Sequence, residues 1–385
     1  HIREKSGDRV SVYDFSVRYG DNNTVIELDK VKKQFQEAFY QIWHGAAEND
    51  SFNRLVLAVG LGWRSVAMLR AYARFFKQSG FSFSQRYIKD ALVNQPNIAR
   101  LLVELFNARF RVDSDDSDIY EANLTGDILD ALDNVESLDE DRILRRYLDM
   151  LAATLRTNFF QLNEYGESKD YISLKFAPAM IPDLPKPLPM FEIFVYSPRI
   201  EGVHLRGGKV ARGGLRWSDR MEDYRTEVLG LVKAQQVKNA VIVPVGAKGG
   251  FVAKKLPKGA SREDTMAEVV YCYRTFIKGL LDITDNLVEG EVVPPKNVVR
   301  KDEDDTYLVV AADKGTATFS DIANEIANDY GFWLGDAFAS GGSVGYDHKK
   351  MGITARGAWV SVQRHFREMG RDVQTEPFTV VGIGD

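Results

Sequence analysis

Residues 231–251 read LVKAQQVKNAVIVPVGAKGGF. Up to Asn239 the pattern is helical, with Val228, Val232, Gln235 and Lys238 recurring on one face. The run AVIVPV (240–245) is β-branched and predicts a buried strand of a parallel sheet. Lys248 follows, flanked by Gly246, Gly249 and Gly250. The helix-to-strand step repeats downstream. A charged helix is expected near 262–279, a strand over TYLVVAA (306–312) and a helix over SDIANEIANDYG (320–331). Thr318 and Asp321 have capping-box spacing at the start of that helix. Another helix reads from Ala355 to a stop at Gly370, and FTVVGIGD (378–385) reads as a strand running into Gly382 and Gly384. Alternation of this kind predicts an α/β fold.

Toward the N-terminus the pattern changes. MFEIFVYS (190–197) and GVHLRGG (202–208) read as strands, and RVSVYDFSVRY (9–19) as an isolated one. Five of the chain's 12 prolines fall in PAMIPDLPKPLP (178–189), and proline blocks both helix and central strand. From about 29 to 165 the pattern is helical: Val31, Phe35, Phe39 and Ile42 share one face, and further helices are expected over 64–80, 97–110 and 138–161. The acidic run DSDDSD (113–118) reads as a solvated loop, lacking the glycine and terminal glutamate of a calcium loop. The expected organisation is the tail of an upstream β-containing domain (1–28), a helical region (29–177), a proline-rich connector (178–189) and a substrate-binding catalytic domain (190–375). Residues 376–385 would begin a further domain.

Bulk properties narrow the class. The 385 residues are 44% hydrophobic and 27% charged with net charge -5, an ordinary soluble composition with no general drive toward nucleic acid or anionic membrane. No apolar run approaches the roughly 18 residues of a membrane span. The single cysteine, Cys272, excludes an intrachain disulfide and a cysteine-based metal site, and reads as a small core residue. No metal is expected.

Lys248 and Asp313 each stand just past a strand by this reading, where ligands of α/β sheets gather. A phosphate loop is excluded, because Lys248 is followed by glycines rather than by a hydroxyl residue. The glycines permit close approach of backbone to a ligand. Arg212 and Arg216 flank two further glycines, and Gln235 and Lys238 lie three apart on one helix face. Such a set suits a small substrate with two carboxylates; the alternative is a collection of solvated charges.

The segments RGGLRW, LVKAQQVKNAVIVPVGAKGGF, AADKGTATFSDIANEIA and GGSVGYDHKKMGITARGAW together resemble glutamate dehydrogenases, and within them the large NAD-specific class. The resemblance is specific over about 190–385, and looser over 1–185. It implies a mixed-sheet substrate-binding domain of that type, preceded by an α-helical region, with a Rossmann domain only beginning at the C-terminal end. By motif, it implies that Lys248 and Asp313 are catalytic and that Arg212, Gln235 and Lys238 bind the substrate carboxylates. Thr354, Gly382 and Gly384 would lie on the NAD side. Arg212 stands where the family motif has lysine, and one glycine of the motif is missing before Ala247.

The implied reaction is oxidative deamination of L-glutamate to 2-oxoglutarate and ammonia, with hydride passing to NAD. A cytoplasmic homo-oligomer formed through the parent protein is expected, with no nucleic-acid or membrane partner. The segment by itself is expected not to turn over. Two other readings are a dehydrogenase of the same architecture for another amino acid, and a non-catalytic assembly or regulatory role, above all for the helical region.

Overall fold

The computed structural model describes residues 2–3, 9–10, 27–112, 117–238, 245–256, 259, 261–313, 318–345 and 348–382. Strands β1 (Ile2–Arg3) and β2 (Arg9–Val10) pair antiparallel. The rest of the strand expected over 9–19 lies outside the described residues, as do residues 113–116 of the acidic run. Seven helices follow among the described residues: α1 (Leu28–Trp43), α2 (Arg54–Val59), α3 (Trp63–Gln78), α4 (Gln85–Asn94), α5 (Pro96–Phe110), α6 (Ser117–Leu132) and α7 (Leu138–Ala153). None of the described helices in the chain is long and apolar enough to cross a membrane.

The fourth helix expected over 138–161 ends early, at Ala153. Thr154 turns its hydroxyl back to the Met150 carbonyl at 2.6 Å, and the chain leaves as strand β3 (Thr154–Thr157). β3 pairs antiparallel with β4 (Ile172–Phe176), then come β5 (Phe191–Tyr196), β6 (Ile200–Arg206) and β7 (Ala211–Trp217). Helix α8 (Tyr224–Lys238) leads to β8 (Val245–Ala253), α9 (Arg262–Leu281), and a short hairpin of β9 (Asn286–Val288) and β10 (Glu291–Val293). The chain continues through β11 (Val309–Ala312), α10 (Ser320–Asp329), β12 (Ala339–Ser340), α11 (His348–Met351) and α12 (Ile353–Glu368).

Eight strands form one mixed sheet in the order β12-β11-β7-β8-β6-β5-β4-β3. The half from β3 to β8 is antiparallel, whereas β8, β7, β11 and β12 run parallel to one another. Strand alternation sorts the side chains to two faces. Leu174, Phe176, Phe194, Tyr196, Val203, Leu205 and Val252 join the core of α2–α8. Ile193, Val195, Leu215 and Phe251 join a second core built on α9 and α10. Helix α3 supplies the first face with Phe75, whose ring lies 4.7 Å from that of Phe176 and 5.5 Å from that of Phe194. The helical region therefore covers the same side of the sheet as α8.

Two buried ionic links set the parts that matter below. Arg225, in the first turn of α8, forms a bidentate pair with Glu192 of β5, both bonds 2.7 Å, and so fixes the start of α8 on the sheet. On the opposite face, Arg156, Lys175 and Arg206 meet Asp285, Asp302 and Asp305. Asp305 accepts from Lys175 at 2.7 Å and from Arg206 at 2.9 Å, which anchors the segment entering β11. Arg300 also reaches Asp285 at 3.3 Å, so each carboxylate of the cluster meets a cation, the condition under which buried charge is tolerated.

Two local readings are corrected. Helix α10 is capped by Phe319 without a side-chain bond, and Asp321 instead accepts from the Ser343 N–H at 2.7 Å. Residues 378–382 of FTVVGIGD form no strand, and Phe378 packs on Phe366 of α12 at 5.3 Å. Cys272 is fully buried, as expected of a core residue.

Candidate active site

The described strand around Lys248 is β8, Val245–Ala253, so Lys248 sits inside a strand rather than beyond one. Residues 240–244 of the expected strand lie outside the described residues. Asp313 stands where expected, directly after β11. The reason for the shift is the glycines. Gly249 faces the Leu215 and His204 side chains so closely that a Cβ there would lie 2.4 Å from Leu215. Glycine inside a strand marks such approaches.

Strands β8 and β11 are not neighbours, because β7 lies between them. Two inter-strand spacings separate their backbones by about 9–10 Å. Even so, Lys248 Nζ donates to Asp313 Oδ2 at 3.2 Å. The contact crosses β7 at Gly214, for the register sets Gly214 beside Ala311 and one residue before the Leu215–Gly249 pair. A Cβ at 214 would stand 2.9 Å from Asp313 Cβ and 3.0 Å from its Oδ2. The absent side chain thus supplies the space in which the two charged groups meet. Both are partly open, with side-chain exposures of 21% and 19%.

Arg216, two residues beyond Gly214 on the same face of β7, closes the other side of the carboxylate. Its Nη2 donates to Asp313 Oδ1 at 3.2 Å and its Nη1 to Glu227 Oε1 at 2.7 Å. Burial lowers the basicity of the Arg216 guanidinium, but Glu227 and Asp313 outweigh that and hold it above its ordinary value. Burial likewise pushes the Glu227 carboxyl up, and the Ser218 hydroxyl with Arg216 brings it below the usual carboxylate range. Arg216 and Glu227 therefore meet as an ion pair at neutral pH.

Two of the three carboxylate-binding candidates, Arg212 and Gln235, lie on the same face. Arg212 alternates with Gly214 and Arg216 along β7, and its side chain is exposed. Gln235, on the α8 face turned to the sheet, donates from Nε2 to the Arg212 carbonyl at 3.3 Å. Its amide lies over Gly246, where a Cβ would come 2.4 Å from Oε1. Lys238 is the last residue of α8, and its side chain lies outside the described residues. The side chain of Thr354, in the first turn of α12, and the whole of Gly384 lie outside them as well, while Gly382 is exposed.

Arg216 was visible in the sequence as a cation beside glycines, but Glu227 and Ser218 carried no signal there. The volume of open space is no guide to this site. A cavity of about 480 Å³ lies elsewhere, lined by Gln161, Lys169, Asp282 and Tyr330 among others, with no residue from β7, β8 or β11. Its Asp282 is already engaged by Lys169, Tyr171 and Tyr330 at 2.6–2.8 Å.

The chain is 64% identical to the NAD-specific glutamate dehydrogenase of Pseudomonas aeruginosa over 388 aligned residues, covering 100% of this chain and 24% of that protein. It is 60% identical to the enzyme of the same name from Halomonas elongata, over 97% of this chain and 23% of that protein. For the Mycobacterium tuberculosis protein of that name the identity is 59%, over 94% of this chain and 23% of that protein. The chain therefore spans about a quarter of the length of these curated relatives. Residues 47–112 match the model of glutamate dehydrogenase helical motif 3. Because residues 127–385 match the model of the bacterial NAD-glutamate dehydrogenase catalytic domain, the chain belongs to that family.

Proposed function

We propose that this chain forms the substrate side of the active site of an NAD-dependent glutamate dehydrogenase, which oxidises L-glutamate to 2-oxoglutarate and ammonia. The observation that carries the reading is the 3.2 Å contact of Lys248 with Asp313 across Gly214. An amine and a carboxylate held together beside a cationic strand suit proton transfer at an amino acid. NAD, when bound, accepts the hydride from Cα of the substrate.

Asp313 takes a proton from the substrate amino nitrogen, leaving a free amine whose lone pair assists loss of hydride. Water, oriented by Lys248, attacks the resulting iminium carbon and gives up a proton to solvent, leaving the neutral carbinolamine. Asp313 returns its proton to the nitrogen, and as the C–N bond breaks ammonia leaves while the hydroxyl proton passes to solvent, which completes the carbonyl. Arg212 and Lys238 hold the two substrate carboxylates with Gln235, and fixing both ends of a flexible diacid supplies the proximity term. At 212 the planar guanidinium offers a carboxylate a two-pronged contact that a lysine does not.

The test is substitution in the intact protein. Lys248→Ala and Asp313→Asn should each lower kcat for glutamate by about 10²–10⁴-fold, the usual worth of a positioned acid or base. Circular dichroism and melting temperature should stay near those of the parent. Turnover retained in both variants would move the chemistry elsewhere.

A further inference from the structure

Among the described residues, two cations hold Asp313: Lys248 from β8 and Arg216 from β7, each at 3.2 Å. A carboxylate gripped by two uncompensated cations is a poor proton acceptor, because its ionised form is over-stabilised. The structure contains the compensation. Arg216 donates at 2.7 Å to Glu227, which stands in the first turn of α8. The second oxygen of Glu227 accepts from the Ser218 hydroxyl at 2.6 Å, and Ser218 Oγ in turn accepts from the Arg220 N–H at 3.1 Å. Arg216 and Glu227 have side-chain exposures of only 15% and 18%, so their coupling is weakly screened. Helix α8 is itself pinned in the same turn by the buried Arg225–Glu192 pair, which gives the carboxylate a fixed address.

We infer that Glu227, anchored by Ser218, is a positioning residue that sets the basicity and orientation of Asp313 through Arg216. The inference rests on the assignment of Asp313 as the proton-transfer group. In this arrangement Glu227 draws part of the Arg216 charge toward itself and keeps the guanidinium plane turned so that Nη2 reaches Asp313. Neither Glu227 nor Arg216 changes protonation during turnover; the proton moves only between the substrate nitrogen and Asp313. Among the described residues, the charged groups brought to this array are Lys248, Arg216, Glu227 and, beside Glu227, Arg220.

The test compares variants of opposite charge effect in the intact protein, following kcat and KM for glutamate against pH. Glu227→Gln keeps an acceptor for Arg216 and a partner for Ser218 but removes the charge. Asp313 then faces a stronger cation. The acid limb of the kcat profile should move down by about one pH unit and kcat should fall about tenfold, the equivalence of one pKa unit. KM should change less than about twofold. Arg216→Gln removes a cation, so its acid limb should move the opposite way, to higher pH. Ser218→Ala loosens only the anchor and should shift the limb as Glu227→Gln does, but less; it decides the matter if Glu227→Gln fails to fold. A merely structural role would lower stability without moving the limb in opposite directions. If the two glutamine variants leave the limb in place, or move it the same way, while Asp313→Asn abolishes turnover, the inference is overturned and the assignment of Asp313 stands. If Asp313→Asn turns over normally, the assignment itself falls.

Discussion

Glu48 ties the helical region to the end of β8, and its removal can be worked through in numbers. It precedes the short turn leading to α2, and its carboxylate contacts Lys254, the first residue after β8, and Arg74 of α3 at 2.8 Å. Burial pushes the carboxyl up, but Lys254 and Arg74 outweigh this and bring it down from its ordinary 4.5 to about 2. A gap of about 2.5 pH units corresponds to about 3 kcal/mol. The folded group titrates below the unfolded one, so the stabilisation is complete above pH 4.5 and disappears as pH falls toward 2. Glu48→Gln should therefore destabilise the purified protein by about 3 kcal/mol at pH 7, narrowing to about 1 kcal/mol at pH 3. Glu201 still pairs with Lys254 at 3.0 Å and with Arg74 at 3.6 Å, which prevents the larger loss expected when a buried cation is stranded. The assay is urea denaturation of both proteins across that pH range. A gap below about 1 kcal/mol at pH 7, or one that stays constant down to pH 3, would refute the reasoning.

Three other outcomes are expected. Asp305→Ala strands Arg206, whose side chain is 1% exposed, while Lys175 keeps Asp302, and should cost about 3–5 kcal/mol by chemical denaturation; a loss under about 1 kcal/mol would contradict the ionic account. Gly214→Val places carbon where the Asp313 carboxyl lies, so kcat should fall by about 10²-fold with a smaller change in KM, and unchanged steady-state kinetics would remove Gly214 from the site. Burial pushes the Cys272 thiol up to about 12, so alkylation at pH 8 should be negligible until denaturant unfolds the protein; rapid labelling of the native protein would show that the thiol is accessible.

What could be seen in the sequence follows from the range of the interactions involved. Helices α1, α3 and α5 were legible because their apolar periodicity is local, and α9 was read as a charged helix over 262–279. Helix α4 was passed over, although Ser84 caps it by accepting from the Tyr87 N–H at 3.2 Å. Strand β3 was hidden because TLRT continues the apolar pattern of α7. Its identity depends on β4, whose Phe176 pairs with Thr154 across 22 positions of sequence. Short strands owe their conformation to such distant partners more than to their own propensity.

The glycines show where local reading fails and what replaces it. In isolation ARGGLRW and VGAKGG resemble loops, since glycine weakens a strand. In the sheet they are β7 and part of β8, with Arg212 beside Gly246 and Leu215 beside Gly249. A Cβ on Gly213 would fall 1.4 Å from the Ala247 carbonyl oxygen, so these strands adopt their spacing only without one. On the opposite pleat Gly214 leaves the gap through which Lys248 reaches Asp313. Lys248 and Asp313 were therefore readable as residue types beside strands, but the path between them was not. That path is the space above one glycine on a strand that belongs to neither residue. In the proposed reaction the chemistry falls to the two charged groups, and their meeting depends on a side chain that is absent.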